Sequence, residues 1–142
     1  QAGFISLNAA LLGAALGCMA AAVLAVNNFR DREHDASIGR RTLAVLLPEK
    51  ATLRLFETLI TLPYFLIAAM VVRDMSYWPY FLVMASFPDC MKLPDQLRRL
   101  HHEELNAVMF GCVKLEVKFS MLFTIGALIQ ALLVLLTVQQ LL

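Results

Sequence analysis

The chain alternates between long apolar stretches and shorter segments that carry most of its charge. The apolar stretches cover residues 2–26, 55–72, 75–91 and 119–142, and the charged segments lie mainly at 27–54 and 92–104. A helix rises about 1.5 Å per residue, so roughly 20 apolar residues cross a hydrocarbon layer of about 30 Å. The pattern predicts an all-α, polytopic membrane helical bundle with about four transmembrane helices. The fourth span is expected to begin at Leu105 with an amphipathic half that precedes its uncharged part.

Prolines and aromatic residues add detail to the middle spans. Pro63 lies inside the second apolar stretch, where a proline usually produces a tolerated kink in a membrane helix. Tyr77 and Trp78 follow the charged turn at 73–74, which is typical of an interfacial aromatic belt. The third stretch is short at its far end, where Pro88 and Asp89 interrupt it.

Composition favours the membrane class and excludes several others. Hydrophobic residues make up 60% of the chain and charged residues 16%, against about 45–50% and about 25% in soluble domains. The net charge of +1 is too small to indicate a nucleic-acid partner. The three cysteines form no C-x-x-C pair, so neither a disulfide framework nor a zinc site is indicated. Because no repeat or linker divides the chain, residues 1–142 are predicted to form a single membrane domain.

The distribution of lysine and arginine predicts the orientation. Six basic residues lie in segment 27–54 and three in segment 92–104, whereas the turn between the second and third spans has only Arg73. Basic residues are retained on the cytoplasmic side of a membrane. Both charged segments are therefore expected to face the cytoplasm.

One segment at the end of the first span carries candidate chemistry. If the helix continues beyond the membrane, Asn27, Asp31 and Asp35 fall at i, i+4 and i+8, on one face. Hard divalent cations prefer oxygen ligands, and Mg²⁺ commonly combines one or two carboxylates with water and phosphate oxygens. This spacing suits a Mg²⁺-diphosphate site.

The residues that follow suit the same chemistry. Gly39 is expected to end the helix, so that Arg40 and Arg41 stand just beyond it as donors to phosphate oxygens. The alternative interpretation is a solvated loop in which arginines and aspartates form weak surface pairs. From charge pattern alone, both interpretations remain open.

The motif as a whole resembles a known one. The residues concerned are Asn27-Asn28-Phe29-Arg30-Asp31, then Asp35, then Gly39-Arg40-Arg41-Thr42-Leu43-Ala44-Val45. They resemble the second aspartate-rich motif of the UbiA superfamily of intramembrane prenyltransferases. Within that superfamily, this form is similar to the 1,4-dihydroxy-2-naphthoate polyprenyltransferases of menaquinone synthesis. A departure occurs at Pro48-Glu49, where the family commonly has a glycine.

The resemblance implies a fold and an incomplete site. Such enzymes have a nine-helix bundle with two facing aspartate-rich motifs, on the second and sixth helices. The four predicted spans would correspond to the sixth to ninth helices, and only the second motif is present. Because the sequence also opens at Gln1, next to an apolar run, we expect a C-terminal half whose N-terminal half is missing and which is inactive alone.

The resemblance also implies roles and partners. Asp31 and Asp35 would be catalytic and would bind Mg²⁺ bridged to polyprenyl diphosphate, and the diphosphate itself would be contacted by Asn27, Asn28, Arg30, Arg40 and Arg41. The aromatic acceptor would be 1,4-dihydroxy-2-naphthoate, and the location a bacterial inner membrane. The metal and cations would stabilise the leaving pyrophosphate while the ring attacks the allylic cation.

The sequence bears on three other functions. Another UbiA-type aromatic prenyltransferase would share the motif and differ in its acceptor. A CDP-alcohol phosphotransferase is disfavoured, because its D-G-x-x-A-R stretch does not match Asn27 and Arg30. A four-span transporter or scaffold protein would place ionisable groups in the middle of spans, whereas the charges here crowd the ends.

Several remaining residues have structural explanations. Gly13 and Gly17 form a G-x-x-x-G, which indicates either a helix-packing seam or chance in an alanine-rich span. The neighbours His101 and His102 would point in different directions on a helix, which favours a loop role over a metal site. Glu57, near a span end, is expected to cap or snorkel rather than to catalyse.

Overall fold

The structure, a computed structural model, describes residues 6–100 and 102–141 and is built of helices. The elements, with η marking 3₁₀-helices, are α1 (Leu7–Arg30), α2 (Arg32–Ser37), α3 (Leu43–Leu46), α4 (Glu49–Arg73), η1 (Met75–Ser86), α5 (Phe87–Cys90), α6 (Leu93–Arg99), η2 (His102–Glu104) and α7 (Leu105–Leu141). Over these two ranges the chain has no strand, which confirms the predicted all-α membrane bundle. Residues 2–5 of the predicted first span lie outside the described residues.

Three helical segments in the described ranges are long and apolar enough to cross a membrane. They are Leu7–Arg30, Glu49–Arg73 and His102–Gln140. The first two begin or end several residues into the charged segments, because a helix keeps its backbone hydrogen bonds after it leaves the apolar layer. Pro63 lies inside α4 without ending it.

The predicted third span takes a different form. Its first 12 residues form the 3₁₀-helix η1, and α5 continues from it for one turn. Pro79 and Pro88 have no backbone N–H to donate, which weakens an α-helical ladder through this stretch. A 3₁₀-helix rises about 2.0 Å per residue, so the 12 residues of η1 cover about 24 Å, more than the same number would cover in an α-helix.

The four long elements form a ring in the order α1, α4, η1, α7. At one end, Arg73 of α4 donates to the side-chain oxygen of Asn8 on α1. At the other, Arg98 of α6 pairs with Glu57 of α4. Both charged segments therefore lie at one end, which we call the polar end and define as residues 27–57 and 92–106.

Tyr64 of α4 contacts three other elements, η1, α5 and α7, at the centre of this ring. It is buried, and its ring meets Phe87 and Phe119 edge to face, with centroids 5.0 and 5.4 Å apart. The hydroxyl of Ser86 donates to the Val83 carbonyl, so the Tyr64 hydroxyl donates to Ser86 Oγ, 2.8 Å away. A buried phenol needs such a partner, and this one links α4 to η1.

α7 is one continuous helix of 37 residues. At about 1.5 Å per residue it is about 55 Å long, well beyond the hydrocarbon thickness. The amphipathic first half of α7 forms an ion pair with α5, in which Lys118 Nζ donates to Asp89 Oδ2 over 2.6 Å. This ion pair offsets part of the cost of placing charge along the bundle.

Close helix approach occurs at Gly126 and not at the G-x-x-x-G of Gly13 and Gly17. A Cβ built at Gly13 or Gly17 meets nothing within 4 Å, so the G-x-x-x-G forms no packing seam with the rest of the described chain. A Cβ at Gly126 of α7 would lie 2.7 Å from the Pro79 carbonyl oxygen and 3.1 Å from Tyr80 Cα. Gly126 therefore lets α7 pack directly on the η1 backbone.

We predict that Gly126→Ala destabilises the bundle by about 1–3 kcal/mol, because the new methyl group meets backbone atoms that cannot rotate away. Gly13→Ala, the matched control, is expected to be neutral or to stabilise by up to about 1 kcal/mol through helix propensity. Thermal unfolding in detergent measures both. Equal unfolding temperatures for the two variants would contradict the Gly126 contact.

Candidate functional site

The helical path continues across the junction between α1 and α2. The backbone N–H of Asp31 donates to the Asn27 carbonyl over 3.1 Å, and that of Asp35 donates to the Asp31 carbonyl over 2.8 Å. These are i to i−4 bonds, so Asn27, Asp31 and Asp35 are stacked one turn apart along one face. The backbone thus has the arrangement that the spacing predicts.

One guanidinium organises the first part of this face. Arg30 donates from Nε to Asp31 Oδ1 over 2.8 Å and from Nη2 to Asp31 Oδ2 over 2.9 Å. The same Nη2 donates to Asn27 Oδ1 over 2.9 Å, and Nη1 donates to Asn106 Oδ1 on α7. We call these four residues the Arg30 network. A two-pronged arginine–carboxylate contact is the strongest geometry for such a pair and orients the carboxylate.

The Arg30 network also determines the charge of Asp31. The Arg30 guanidinium, hydrogen-bonded to Asp31, holds the pKa of that carboxyl below its ordinary value, and burial opposes this only in part. The Asp31 side chain is 36% exposed. Asp31 is therefore ionised at neutral pH and reachable by a ligand.

Asp35 has a different environment on the same face. Its side chain is only 3% exposed, and its cationic partner is Arg40 Nη1 at 3.4 Å. A buried carboxylate with one long contact is poorly compensated, since burial of a charge is costly without close partners. Asp35 is the member of the motif with most to gain from a further cation.

The end of α2 explains how Arg40 reaches Asp35. Gly39 has φ of 75°, in the left-handed region that favours glycine. Its N–H donates to the Ala36 carbonyl over 3.2 Å, and the Arg40 N–H donates to the Asp35 carbonyl over 2.8 Å. These two bonds form a Schellman motif, which turns the chain back on the helix end. The helix ends before Gly39, as the sequence predicts, and the Schellman turn places Arg40 beside Asp35.

Two further predicted residues lie apart from the Arg30 network. Asn28 lines an apolar cavity between α1, α3 and α4, with neighbours that include Leu24 and Leu59. Among the described residues, the side-chain hydrogen-bond donors to Asp31 and Asp35 are Arg30 and Arg40, not Asn28. Arg41 is exposed.

The structure adds residues from the second charged segment. A cavity of about 220 Å³ is lined by Arg30, Arg32, Arg98 and His102, among others. An open cleft beside it is lined by Arg30, Asp31, His102, Glu103 and Asn106. His102 borders both spaces and has a left-handed φ of 49°. It therefore lies beside the motif, a position that the predicted loop role did not include.

The donor chemistry of this region suits a hard cation but is incomplete. Asn27, Asp31 and Asp35 provide amide and carboxylate oxygens of the kind that Mg²⁺ takes. Across the part of the chain that the structure describes, no group of three or more His, Cys, Asp and Glu residues could hold a metal. A cation here would need further oxygens from substrate, water or other protein segments.

Comparison with known proteins gives one match. A family model described as the UbiA prenyltransferase family matches residues 1–110, which include α1 to α6 and the first turns of α7. Among curated proteins and among solved structures, nothing matches the chain.

The Arg30 network generates a pH prediction. Arg30→Gln removes the cation that stabilises the ionised carboxylate, so the pKa of Asp31 is expected to rise and protonation to begin at higher pH. Carboxyl ¹³C NMR titration of aspartate-labelled protein in detergent micelles measures this. Arg41→Gln, the matched control at an exposed arginine, is expected to leave the titration unchanged. An Asp31 pKa that stays low in Arg30→Gln would refute the assigned cause.

Proposed function

The chain belongs to the UbiA prenyltransferase family, and from this premise we propose that it moves a polyprenyl group from polyprenyl diphosphate to 1,4-dihydroxy-2-naphthoate. Family membership itself implies a membrane prenyltransferase for aromatic acceptors. The observation that carries the proposal is the stacked face of Asn27, Asp31 and Asp35, with Arg30 and Arg40 against its carboxylates. Oxygen ligands and guanidinium donors side by side are what a metal-bound diphosphate requires.

The choice of acceptor is supported by the form of the motif. The N-N-x-R-D start at Asn27 and the G-R-R-T stretch from Gly39 are similar to the enzymes that prenylate 1,4-dihydroxy-2-naphthoate. Such a reaction is part of menaquinone synthesis, and we propose a bacterial inner membrane as its location. Assays that offer 4-hydroxybenzoate beside the naphthoate distinguish this acceptor from that of another branch of the family.

We propose that Asp31 and Asp35, with the amide oxygen of Asn27, hold Mg²⁺ together with the diphosphate. When bound, the ion supplies positive charge that stabilises the departing pyrophosphate. Arg40 and Arg41 donate to diphosphate oxygens, and Arg30 keeps Asp31 ionised and oriented. The surrounding apolar helices exclude water from the allylic cation until the ring attacks.

We propose further that this chain supplies half of the complete site. Its sequence carries one aspartate-rich motif, whereas the resemblance implies two that face each other. The donor set described above also falls short of a closed metal site. The N-terminal half of the enzyme would supply the second motif, and its absence would leave this chain inactive.

The proposed roles predict that Asp31→Asn and Asp35→Asn each lower prenyl transfer by roughly 10²–10³-fold, because charge stabilisation at the leaving group is lost. Asp95→Asn is the matched control. Asp95 lies on α6 at the same polar end, is exposed, and pairs with Arg98 over 3.4 Å. Each variant is co-expressed with a segment that carries the other aspartate-rich motif, and transfer of a radiolabelled polyprenyl group with added Mg²⁺ measures all three.

The same assay tests the half-site. Activity is expected when the chain is co-expressed with a segment that carries the other aspartate-rich motif, and not from the chain alone. Near-normal rates in both motif variants would overturn the assigned roles. Strong Mg²⁺-dependent activity of the isolated chain would overturn the half-site and leave the family assignment intact.

We also propose that the polar end faces the cytoplasm, because it holds nine of the twelve basic residues. Single cysteines at Ser37, on the polar end, and at Ser76, on the opposite end, test this in a background without native cysteines. Both positions are exposed. A membrane-impermeant maleimide added outside intact cells is expected to label position 76 and spare position 37. The reverse labelling would show the opposite orientation.

A further inference from the structure

Asn106 links the start of α7 to the motif at the end of α1. It is the second residue of α7, and its side-chain oxygen accepts a hydrogen bond from Arg30, 76 residues earlier in the chain. The other side-chain oxygens that accept from Arg30 in the described structure belong to Asn27 and Asp31, its near neighbours. Asn106 thus brings a distant helix into the Arg30 network.

The geometry of arginine makes this contact directional. The five N–H groups of a guanidinium lie in one plane, so acceptors on different edges fix the orientation of that plane. Asp31 accepts on the Nε–Nη2 edge, and Asn106 accepts at Nη1. Without the Asn106 oxygen, the guanidinium keeps partners on one side only and can swing away with the carboxylate it holds.

The backbone that carries Asn106 is itself held in place. Leu105 and Val108 on either side of it are buried in the core of the bundle. Asn106 is half-buried and also lines the open cleft beside Asp31. Its carboxamide is therefore a fixed acceptor on a rigid first turn, which is the requirement for a group that positions another.

We propose that Asn106 is a positioning residue for the prenyl-transfer site, because it fixes Arg30 and thereby aims the Asp31 carboxylate at the metal-bound diphosphate. The inference rests on the proposed function of Asp31. Through Asn106, α7 helps to position the site without touching the substrate. This positioning role also accounts for an amide side chain at the cleft in the first turn of a helix far from the motif in sequence.

A binding experiment tests this independently of turnover. Mn²⁺ replaces Mg²⁺ as a paramagnetic probe. Its affinity is measured by electron paramagnetic resonance on the full chain, co-expressed with a segment that carries the other aspartate-rich motif, in lipid nanodiscs with a prenyl thiolodiphosphate. Asn106→Leu, which removes the acceptor at similar size, is expected to weaken Mn²⁺ binding roughly tenfold, as for loss of a hydrogen bond to a charged group. Asn106→Asp, which keeps the acceptor, is expected to stay near wild type.

A double-mutant cycle distinguishes positioning from a merely structural role. If Asn106 acts through Arg30, then Asn106→Leu has no further effect on Mn²⁺ affinity in an Arg30→Gln background. Thr124→Val is the matched control on α7, since that hydroxyl donates only within its helix, to the Ser120 carbonyl over 2.8 Å. Its Mn²⁺ affinity is expected to equal that of wild type.

The outcomes separate the two proposals. Unchanged Mn²⁺ binding in Asp31→Asn would overturn the proposed function. Loss in Asp31→Asn with none in Asn106→Leu, or effects of Asn106→Leu and Arg30→Gln that simply add, would overturn the positioning role alone. Weak Mn²⁺ binding in Asn106→Asp would also overturn the positioning role alone. If Asn106→Leu does not fold, Asn106→Ala removes the acceptor without added apolar volume and takes its place.

Discussion

The exclusion of charge from hydrocarbon is the constraint on which the structure depends. Each long helix can leave the apolar layer only where its charged residues find water or partners. Most of those residues lie at the polar end, and several of their partners belong to other helices, as in the contacts of Arg30 with Asn106 and of Arg98 with Glu57. The contacts that hold the helix ends together therefore also assemble the side chains of the candidate site.

Within that site, two aspartates one turn apart have different surroundings. Asp31 is accessible and held by a guanidinium on both oxygens, whereas Asp35 is buried with a single long contact to Arg40. Asp31 borders the open cleft, whereas Asp35 lies just before the Schellman turn at Gly39, which brings Arg40 beside it. The guanidinium of Arg30 orients the Asp31 carboxylate, whereas the Asp35 carboxylate has one long ionic contact.

The apolar half of the bundle shows how close contact is achieved without a long third α-helix. Gly126 lets α7 touch the η1 backbone at Pro79, and Tyr64 fills the centre with contacts to two aromatic rings. Because lipid tails are as apolar as the helices, van der Waals packing of this kind, and not the hydrophobic effect, drives helix association in a membrane.

Three features depend on neighbouring residues and are predictable from the sequence alone: the all-α membrane class, the stacking of Asn27, Asp31 and Asp35, and the end of the helix at Gly39. Helical periodicity, apolar length and glycine φ are local properties. The tertiary structure brings Asn106 and His102 to the motif, and it makes Gly126, rather than the G-x-x-x-G, the point of close approach. It also decided that the third stretch packs as a 3₁₀-helix between α4 and α7. These features depend on which distant surfaces meet, and the spacing of residues along one chain segment does not encode that.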